Sequence, residues 1–192
     1  DLQLILTTEK GYGINPALQV IVDVILAEEL MRAIDDASDR LAKIELLRKF
    51  HALFQGEFMG TTFTRNSFIR ENRLHYKLKY IEKMEVLMKL LIEQRDYTGA
   101  AGYCNDMLKV YPDCVDIHFW RIVALYKQGY IDSVREIDEN LRELLDERTY
   151  SILCRRLQLE LNISDEVLET CQKSKMIFLR QEEKKRKINK HS

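Results

Sequence analysis

The chain has 192 residues, of which 46% are hydrophobic and 32% are charged, and its formal net charge is −1. A chain of this size can bury roughly 70% of its unfolded surface, so it needs no disulfide or metal to fold. The near-neutral charge argues against a protein that coats nucleic acid, and the 7 glycines and 2 prolines favour long helices over strands and turns.

The sequence lacks the motifs of catalysis and of cofactor binding. None of its 4 cysteines has C-x-x-C spacing or lies beside a suitably spaced histidine, so no zinc or redox site is predicted. Glycine-rich phosphate loops are absent from the sequence, and no serine, histidine and acid are arranged for nucleophilic attack. We therefore expect a protein that is not an enzyme and has no cofactor and no metal.

The cysteines also indicate a cellular compartment. Cys104 and Cys154 fall on apolar stripes, where they are expected to act as small buried hydrophobic residues. Unpaired cysteines are typical of a reducing environment, no apolar run approaches the ~20 residues of a membrane span, and no signal peptide is recognisable. The sequence thus predicts a cytoplasmic protein that does not contact the membrane.

The N-terminal stretch predicts a short β-hairpin. Residues 2–8 are apolar and β-branched, residues 9–11 form a turn, and the strand-like residues 12–14 precede Pro16. A lone hairpin is at best marginally stable, so it is expected to pack on the helices or on a domain that precedes Asp1. The chain begins in mid-pattern and without a methionine, which favours a fragment of a longer protein.

Three helices are predicted between residues 23 and 94. The first begins at Asp23, and its core positions are predicted to be Leu26, Leu30, Ala33 and Ile34. The second begins at Ser38 or Asp39 and ends at the glycine-containing break at 55–62. The third and longest covers residues 66–94, and its predicted core positions are Tyr76, Tyr80, Met84, Leu87 and Leu91.

Two consecutive helical hairpins are predicted between residues 90 and 145. Tyr97 and Tyr130 lie at equivalent bends about 33 residues apart, which is close to the period of tetratricopeptide repeats. The predicted core positions, at helical spacing, are Tyr97, Ala100, Ala101, Cys104, Met107, Leu108, Tyr111, Phe119, Ile122, Val123, Tyr126, Tyr130, Val134, Ile137, Leu141, Leu144 and Leu145. Such hairpins bury their apolar faces by stacking on one another.

Three residues set the predicted limits of these helices. Pro112 ends one helix because its ring clashes with the preceding turn and it has no N–H group. Asp113 is the expected N-cap of the next helix, and Gly129 is expected to adopt the left-handed conformation that ends a helix. Beyond them, helices are predicted over residues 150–161 and from Ser164 to about Phe178, followed by a charged, frayed end.

Taken in order, several short motifs resemble the bacterial transcriptional activator domain of antibiotic regulatory protein-type regulators and of some response regulators. The motifs lie at residues 10–16, 22–24, 46–58, 95–97, 111–113 and 118–129. The first is similar to the end of a winged-helix wing, where a Gly-Tyr strand precedes a linker. The resemblance covers residues 4–157. It departs from the family at 144–148, where the usual glycine and proline are missing.

This resemblance implies an all-α fold of antiparallel helical hairpins, stacked as in tetratricopeptide arrays, with a short N-terminal β-hairpin. It implies three segments: residues 1–16 as a remnant of the wing and linker, 17–161 as the transcriptional activator domain, and 162–192 as a C-terminal helix and charged tail. In such regulators the module follows a winged-helix DNA-binding domain, whose recognition helix would lie before Asp1. There it serves regulation, self-association or contact with partners.

Five residues are candidates for binding. His118, Trp120, Arg121 and Leu125 lie on one predicted helix and are candidates for contact with a protein partner or a second copy. The alternatives are that Trp120 fills core volume and that the other three are solvated. Lys10 is a candidate for contact with a DNA phosphate if the hairpin is a wing, and otherwise it is a solvated lysine.

The expected function is regulation within a bacterial transcription regulator. The helical array would bind a protein partner or another copy of itself, and DNA would be bound only through the upstream winged helix. The alternative is a free-standing tetratricopeptide-like adaptor unrelated to transcription. A hydrolase or transferase with an unrecognised site is a third hypothesis, which the lack of a convergent titratable cluster disfavours.

Overall fold

A computed structural model places two compact units along the chain, Asp1–Gln55 and Gly56–Ser192. The residues that it describes are 5–8, 11–14, 23–58, 60 and 65–162. This part of the chain is helical apart from two short strands, so the all-α fold class is confirmed at that level. The predicted helix from Ser164, the charged tail, Cys171 and Lys10 lie outside the described residues.

The first unit contains two strands and two helices. They are β1 (Ile5–Thr8), β2 (Gly11–Ile14), α1 (Asp23–Asp36) and α2 (Arg40–Leu53). The strands pair antiparallel, with Ile5 opposite Ile14 and Thr8 opposite Gly11. Their interpretation as the remnant of a wing stays a prediction.

Helices α1 and α2 pack against each other through one apolar stripe on each helix. The buried residues are Ala27, Met31, Ile34, Ile44, Leu47 and Phe50. Of the four predicted core positions of α1, Ile34 is buried, which confirms it, whereas Leu26, Leu30 and Ala33 are only half-buried. Asp39 is the N-cap of α2, because its side chain accepts a hydrogen bond from the Ala42 N–H at 2.7 Å.

The second unit contains five helices within its described residues. They are α3 (Ser67–Glu93), α4 (Tyr97–Val110), α5 (Val115–Lys127), α6 (Ile131–Leu144) and α7 (Glu147–Leu161). Helix α5 is central, since it contacts α3, α4, α6 and α7. Its buried residues are Ile117, Phe119, Trp120, Ile122, Val123 and Ala124. This arrangement gives unit 2 its main core.

The turns after α3 and α5 have the same backbone geometry. Arg95 and Gly129 both have positive φ, at 62° and 83°, which confirms the prediction for Gly129. After α3, the Asp96 N–H donates to the Leu91 carbonyl at 2.9 Å, and after α5 the Tyr130 N–H donates to the Leu125 carbonyl at 3.0 Å. Such bonds satisfy carbonyls that the end of a helix leaves unpaired.

Two sequence predictions in unit 2 were wrong. Asp113 does not cap α5, because the turn after α4 continues to Cys114, which is the N-cap residue and makes no side-chain capping bond. Tyr130 and Leu144 were predicted to lie in the core but are 57% and 54% exposed. Tyr130 immediately precedes α6 and Leu144 is its last residue. At both ends of this helix, the predicted apolar positions are therefore not covered by the neighbouring helices.

Candidate interaction surface

His118 lies near the start of α5 and is held by the turn that precedes this helix. Its Nε2 is 2.7 Å from the Pro112 carbonyl oxygen. A carbonyl can only accept, so Nε2 carries the proton and Nδ1 is the acceptor of the neutral ring. Among the described residues Nδ1 is buried without a partner. Burial lowers the pKa of His118, and the charge of Arg121 acts in the same direction.

Trp120 is 5% exposed, so it belongs to the packing between helices rather than to an open surface. Its Nε1–H donates to the Glu85 carboxylate at 3.4 Å, and its ring lies edge-on to Phe119 at 4.9 Å between centroids. The structure therefore favours the core-filling interpretation of Trp120 over that of a partner anchor.

Arg121 and Leu125 are half-buried and follow His118 at one-turn intervals along α5. Burial raises the pKa of the Cys104 thiol on α4 to about 12, and the positive charge of Arg121 acts in the opposite direction. At neutral pH that thiol is protonated and poorly reactive. The candidate surface thus consists of His118, Arg121 and Leu125, without Trp120.

A network centred on Arg156 was missed by the sequence analysis. The guanidinium of this α7 residue donates to Asp116 of α5, lies 3.7 Å from the Glu85 carboxylate of α3, and stacks over the Phe119 ring at 4.5 Å. One side chain therefore connects three helices. Asp116 and Arg156 are 40 residues apart in sequence, so no local pattern could have revealed the pair.

A second polar network joins α6 to α7. The Tyr150 hydroxyl donates to Asp138 at 2.6 Å, and the Arg142 Nε–H is 3.1 Å from the same carboxylate. Burial and the Asp138 hydrogen bond both raise the pKa of Tyr150. Cys154 is half-buried beside it, and burial raises the pKa of its thiol as well. These groups stabilise the helix pair and are not poised as nucleophiles.

The described part of unit 2 encloses a small cavity. A cavity of about 10 Å³ lies between Met84, Met88, Met107 and Trp120, which is room for about one water molecule. Across the described residues, no three His, Cys, Asp or Glu side chains form a group that could hold a metal ion. Within the same residues, no helix has both the length and the apolar content that crossing a bilayer requires.

Comparison with known proteins does not add a family to these observations. No protein-family model matches the chain, and no curated protein matches its sequence. The resemblance to the bacterial transcriptional activator domain therefore stays a prediction.

Proposed function

We propose that this chain is a regulatory, protein-interaction or oligomerisation domain of a bacterial transcription regulator. In this proposal the helical array binds a protein partner or a second copy of itself. That binding sets how an attached winged-helix domain meets DNA. The observation that carries the proposal is the repeated turn at Arg95 and Gly129, 34 residues apart.

The repeated turn supports a stacked, tetratricopeptide-like array. Each positive-φ residue ends one helix, and a helix of 14 residues, α4 or α6, begins two residues later. The contacts of α5 with α3, α4, α6 and α7 are those expected when each repeat packs only on its neighbours. Arrays of this kind present extended surfaces that suit binding of proteins rather than catalysis. The short pair of strands β1 and β2 supports the comparison with a winged-helix wing.

The surface that best fits a partner is the line of His118, Arg121 and Leu125 on α5. Each is half-buried, so a partner could contact them without unfolding the helix. Arg121 and Leu125 together offer a partner a charged guanidinium group and an apolar side chain. Arginine is also enriched among the residues that dominate binding energy at protein interfaces. We propose Arg121 as the main contact.

The alternative function is that of a free-standing helical adaptor unrelated to transcription. The helical array by itself favours neither function over the other, because fold alone does not determine function; the strands β1 and β2 are what support the regulator. The coding sequence upstream of Asp1 separates them. A winged-helix domain directly upstream supports the regulator, and its absence from the coding sequence supports the adaptor.

Light scattering of the full chain over a range of concentrations tests the self-association arm. We expect an increase in mass with concentration that Arg121→Glu abolishes. The matched control is Arg135→Glu, which reverses the charge of an arginine that is 57% exposed on α6 and pairs with Asp132. A monomer at all concentrations would contradict self-association. Equal loss in both variants would show that charge alone, and not the α5 surface, is responsible.

A further inference from the structure

Helix α7 has apolar residues on two sides. Leu153 and Leu157 are buried toward the rest of unit 2. The opposite side carries Ile152 and Leu159, which are 54% and 77% exposed. Two exposed arginines share that side at helical spacing. The outer stripe of α7 therefore consists of Arg148, Ile152, Arg155 and Leu159.

Helix α3 also has apolar residues on two sides. Tyr80 marks its buried side. On the opposite side of the helix, Leu74 and Leu78 are 57% and 58% exposed. An exposed glutamate precedes them at helical spacing, and another follows them. The outer stripe of α3 therefore consists of Glu71, Leu74, Leu78 and Glu82.

The two outer stripes match in length and complement each other in charge. Residues 71–82 and 148–159 cover the same length of helix, roughly 16 Å at 1.5 Å per residue. Each stripe has two apolar side chains, but the charged residues are acidic on α3 and basic on α7. A surface helix normally has one apolar stripe, so the second stripe on each helix indicates a further contact. Opposite charges around apolar side chains are the pattern that suits two surfaces that meet.

The stripes do not cover each other within one chain, because both are exposed. Other side chains hold α3 and α7 within unit 2. Both helices pack on α5, and Arg156 of α7 lies 3.7 Å from the Glu85 carboxylate of α3, outside both stripes. We propose that the partner of each stripe is a second copy of this chain, so that the outer stripe of α3 in one copy packs on the outer stripe of α7 in another.

The acidic stripe keeps its charge at neutral pH. Glu82 is 3.0 Å from Lys79 and 3.5 Å from Lys83 of its own helix, and the hydrogen bond from Lys79 lowers the pKa of Glu82. Its side chain is still 54% exposed, and a carboxylate has acceptor sites for more than two donors. An arginine of a second copy can therefore bind Glu82 without displacing either lysine.

The contact joins two unlike surfaces. Two copies can form it twice in a two-fold dimer, or each copy can form it once with each neighbour in a ring or filament. This inference deepens the self-association arm of the proposed function, on which it rests, by adding a second contact to the α5 line of His118, Arg121 and Leu125. One helix against another is a small contact beside the roughly 1,200–2,000 Å² of a stable interface, so we expect assembly to need both contacts.

Charge reversal of one stripe tests the proposal. Arg148→Glu combined with Arg155→Glu makes both stripes acidic, and like charges that face each other oppose association. Light scattering of the full chain should then show a monomer at concentrations at which the unsubstituted chain assembles. The matched control is Lys109→Glu combined with Arg135→Glu, which changes the net charge equally through side chains that are 74% and 57% exposed outside both stripes. The control should assemble as the unsubstituted chain does.

Reversal of the second stripe in the same chain should restore assembly. Glu71→Lys and Glu82→Lys, added to the two arginine substitutions, make α3 basic while α7 is acidic. The stripes are complementary again, and the formal net charge returns to −1. Repulsion through total charge, or damage to α7 by the arginine substitutions, would not predict this rescue. Circular dichroism of each variant checks that its helices are retained.

Two results would overturn the proposal. One is assembly that survives Arg148→Glu combined with Arg155→Glu, and the other is loss of assembly without rescue when both stripes are reversed. All these variants keep Arg121, so the α5 line is tested separately. Loss of assembly in Arg121→Glu, with no effect of the α7 substitutions, would leave the proposed function standing without this contact. Loss and rescue through the stripes, with no effect of Arg121→Glu, would support this contact and remove the α5 line from self-association.

Discussion

The pair α4–α5 and the pair α6–α7 are held together by different forces. Helices α4 and α5 bury four and six residues, all of them apolar. Helices α6 and α7 bury only two residues each, and their contact includes the polar group of Asp138, Arg142 and Tyr150. Helix α7 is further tied to α5 and α3 through Arg156.

This difference predicts different responses to solution conditions. Apolar packing depends on the area removed from water and on close fit, so it is insensitive to salt and to pH near neutrality. Charged hydrogen bonds weaken when salt screens them or when a partner changes its protonation state. The α4–α5 half is therefore expected to be the more stable half, apart from the pH dependence expected of His118 on α5, and the α6–α7 half is the one that salt is expected to loosen.

The largest effect is expected from a cavity in the stable half. Ile122 is 2% exposed on α5, and Ile122→Ala should lower the free energy of unfolding by about 2–5 kcal/mol, because the transfer and cavity terms add. Urea denaturation followed by circular dichroism measures it. Ile131→Ala, at the 37% exposed first residue of α6, is the control and should cost less than about 1 kcal/mol. Similar losses in the two variants would remove the distinction between the halves.

The next effect concerns the polar contact of the second half. The Asp138 side chain is 21% exposed, and Asp138→Ala leaves the Tyr150 hydroxyl without the carboxylate to which it donates. It also removes the carboxylate partner of Arg142, whose Nε–H still lies 2.7 Å from the Tyr150 hydroxyl oxygen, and the loss should be about 1–3 kcal/mol. Asp132→Ala removes an acid of the same helix whose side chain is 98% exposed and should cost less than about 1 kcal/mol. Denaturation curves of both variants decide the matter. A loss for Asp138→Ala no larger than that for the control would mean that the network does not stabilise the pair.

The sequence was most informative where the determinants are local. The predicted helix over residues 66–94 is observed as Ser67–Glu93, with the Asn66 side chain accepting from the Ile69 N–H at 3.2 Å. A long apolar period and a capping residue are both readable from a few neighbouring positions. Gly129 was predicted for the same reason, since glycine tolerates positive φ.

The features that the sequence did not predict depend on contacts between residues distant in sequence, or on exceptions to local rules. Arg95 adopts positive φ although it is not glycine. Its residue type alone does not predict this conformation, which is recognised only by aligning the turn at Arg95 with the equivalent turn at Gly129. Arg156 meets Asp116 across 40 residues. Trp120 follows the core residue Phe119 on α5, so the sequence left open whether it faces the core or solvent. The structure shows that it is buried, with its indole N–H donating to Glu85 of α3.

A smaller effect is expected from the side chain that ties α7 to the stable half. Arg156→Met keeps the apolar contact with Phe119 but removes the charge. The Arg156 side chain is 37% exposed, so the loss should be about 1 kcal/mol at low salt. It should shrink as NaCl is raised to 1 M, where the screening length falls to about 3 Å. Arg135→Met is the control. A loss that does not change with salt would assign the role of Arg156 to packing instead of charge.

The smallest expected effect is a dependence of the unfolding free energy on pH. It would sharpen the comparison of the two helix pairs by assigning one titrating group, His118, to the α4–α5 pair. Burial lowers the pKa of His118 below its value in the unfolded chain. The unfolded state then binds the proton first as pH falls below about 6.5, so stability is complete above that pH and decreases through the folded-state pKa. His118→Gln should make the unfolding free energy change less with pH between pH 7 and 5, as measured by urea denaturation at each pH. A profile that is as steep in His118→Gln as in the unsubstituted chain would place the titrating group elsewhere and leave α4–α5 without any sensitivity to pH.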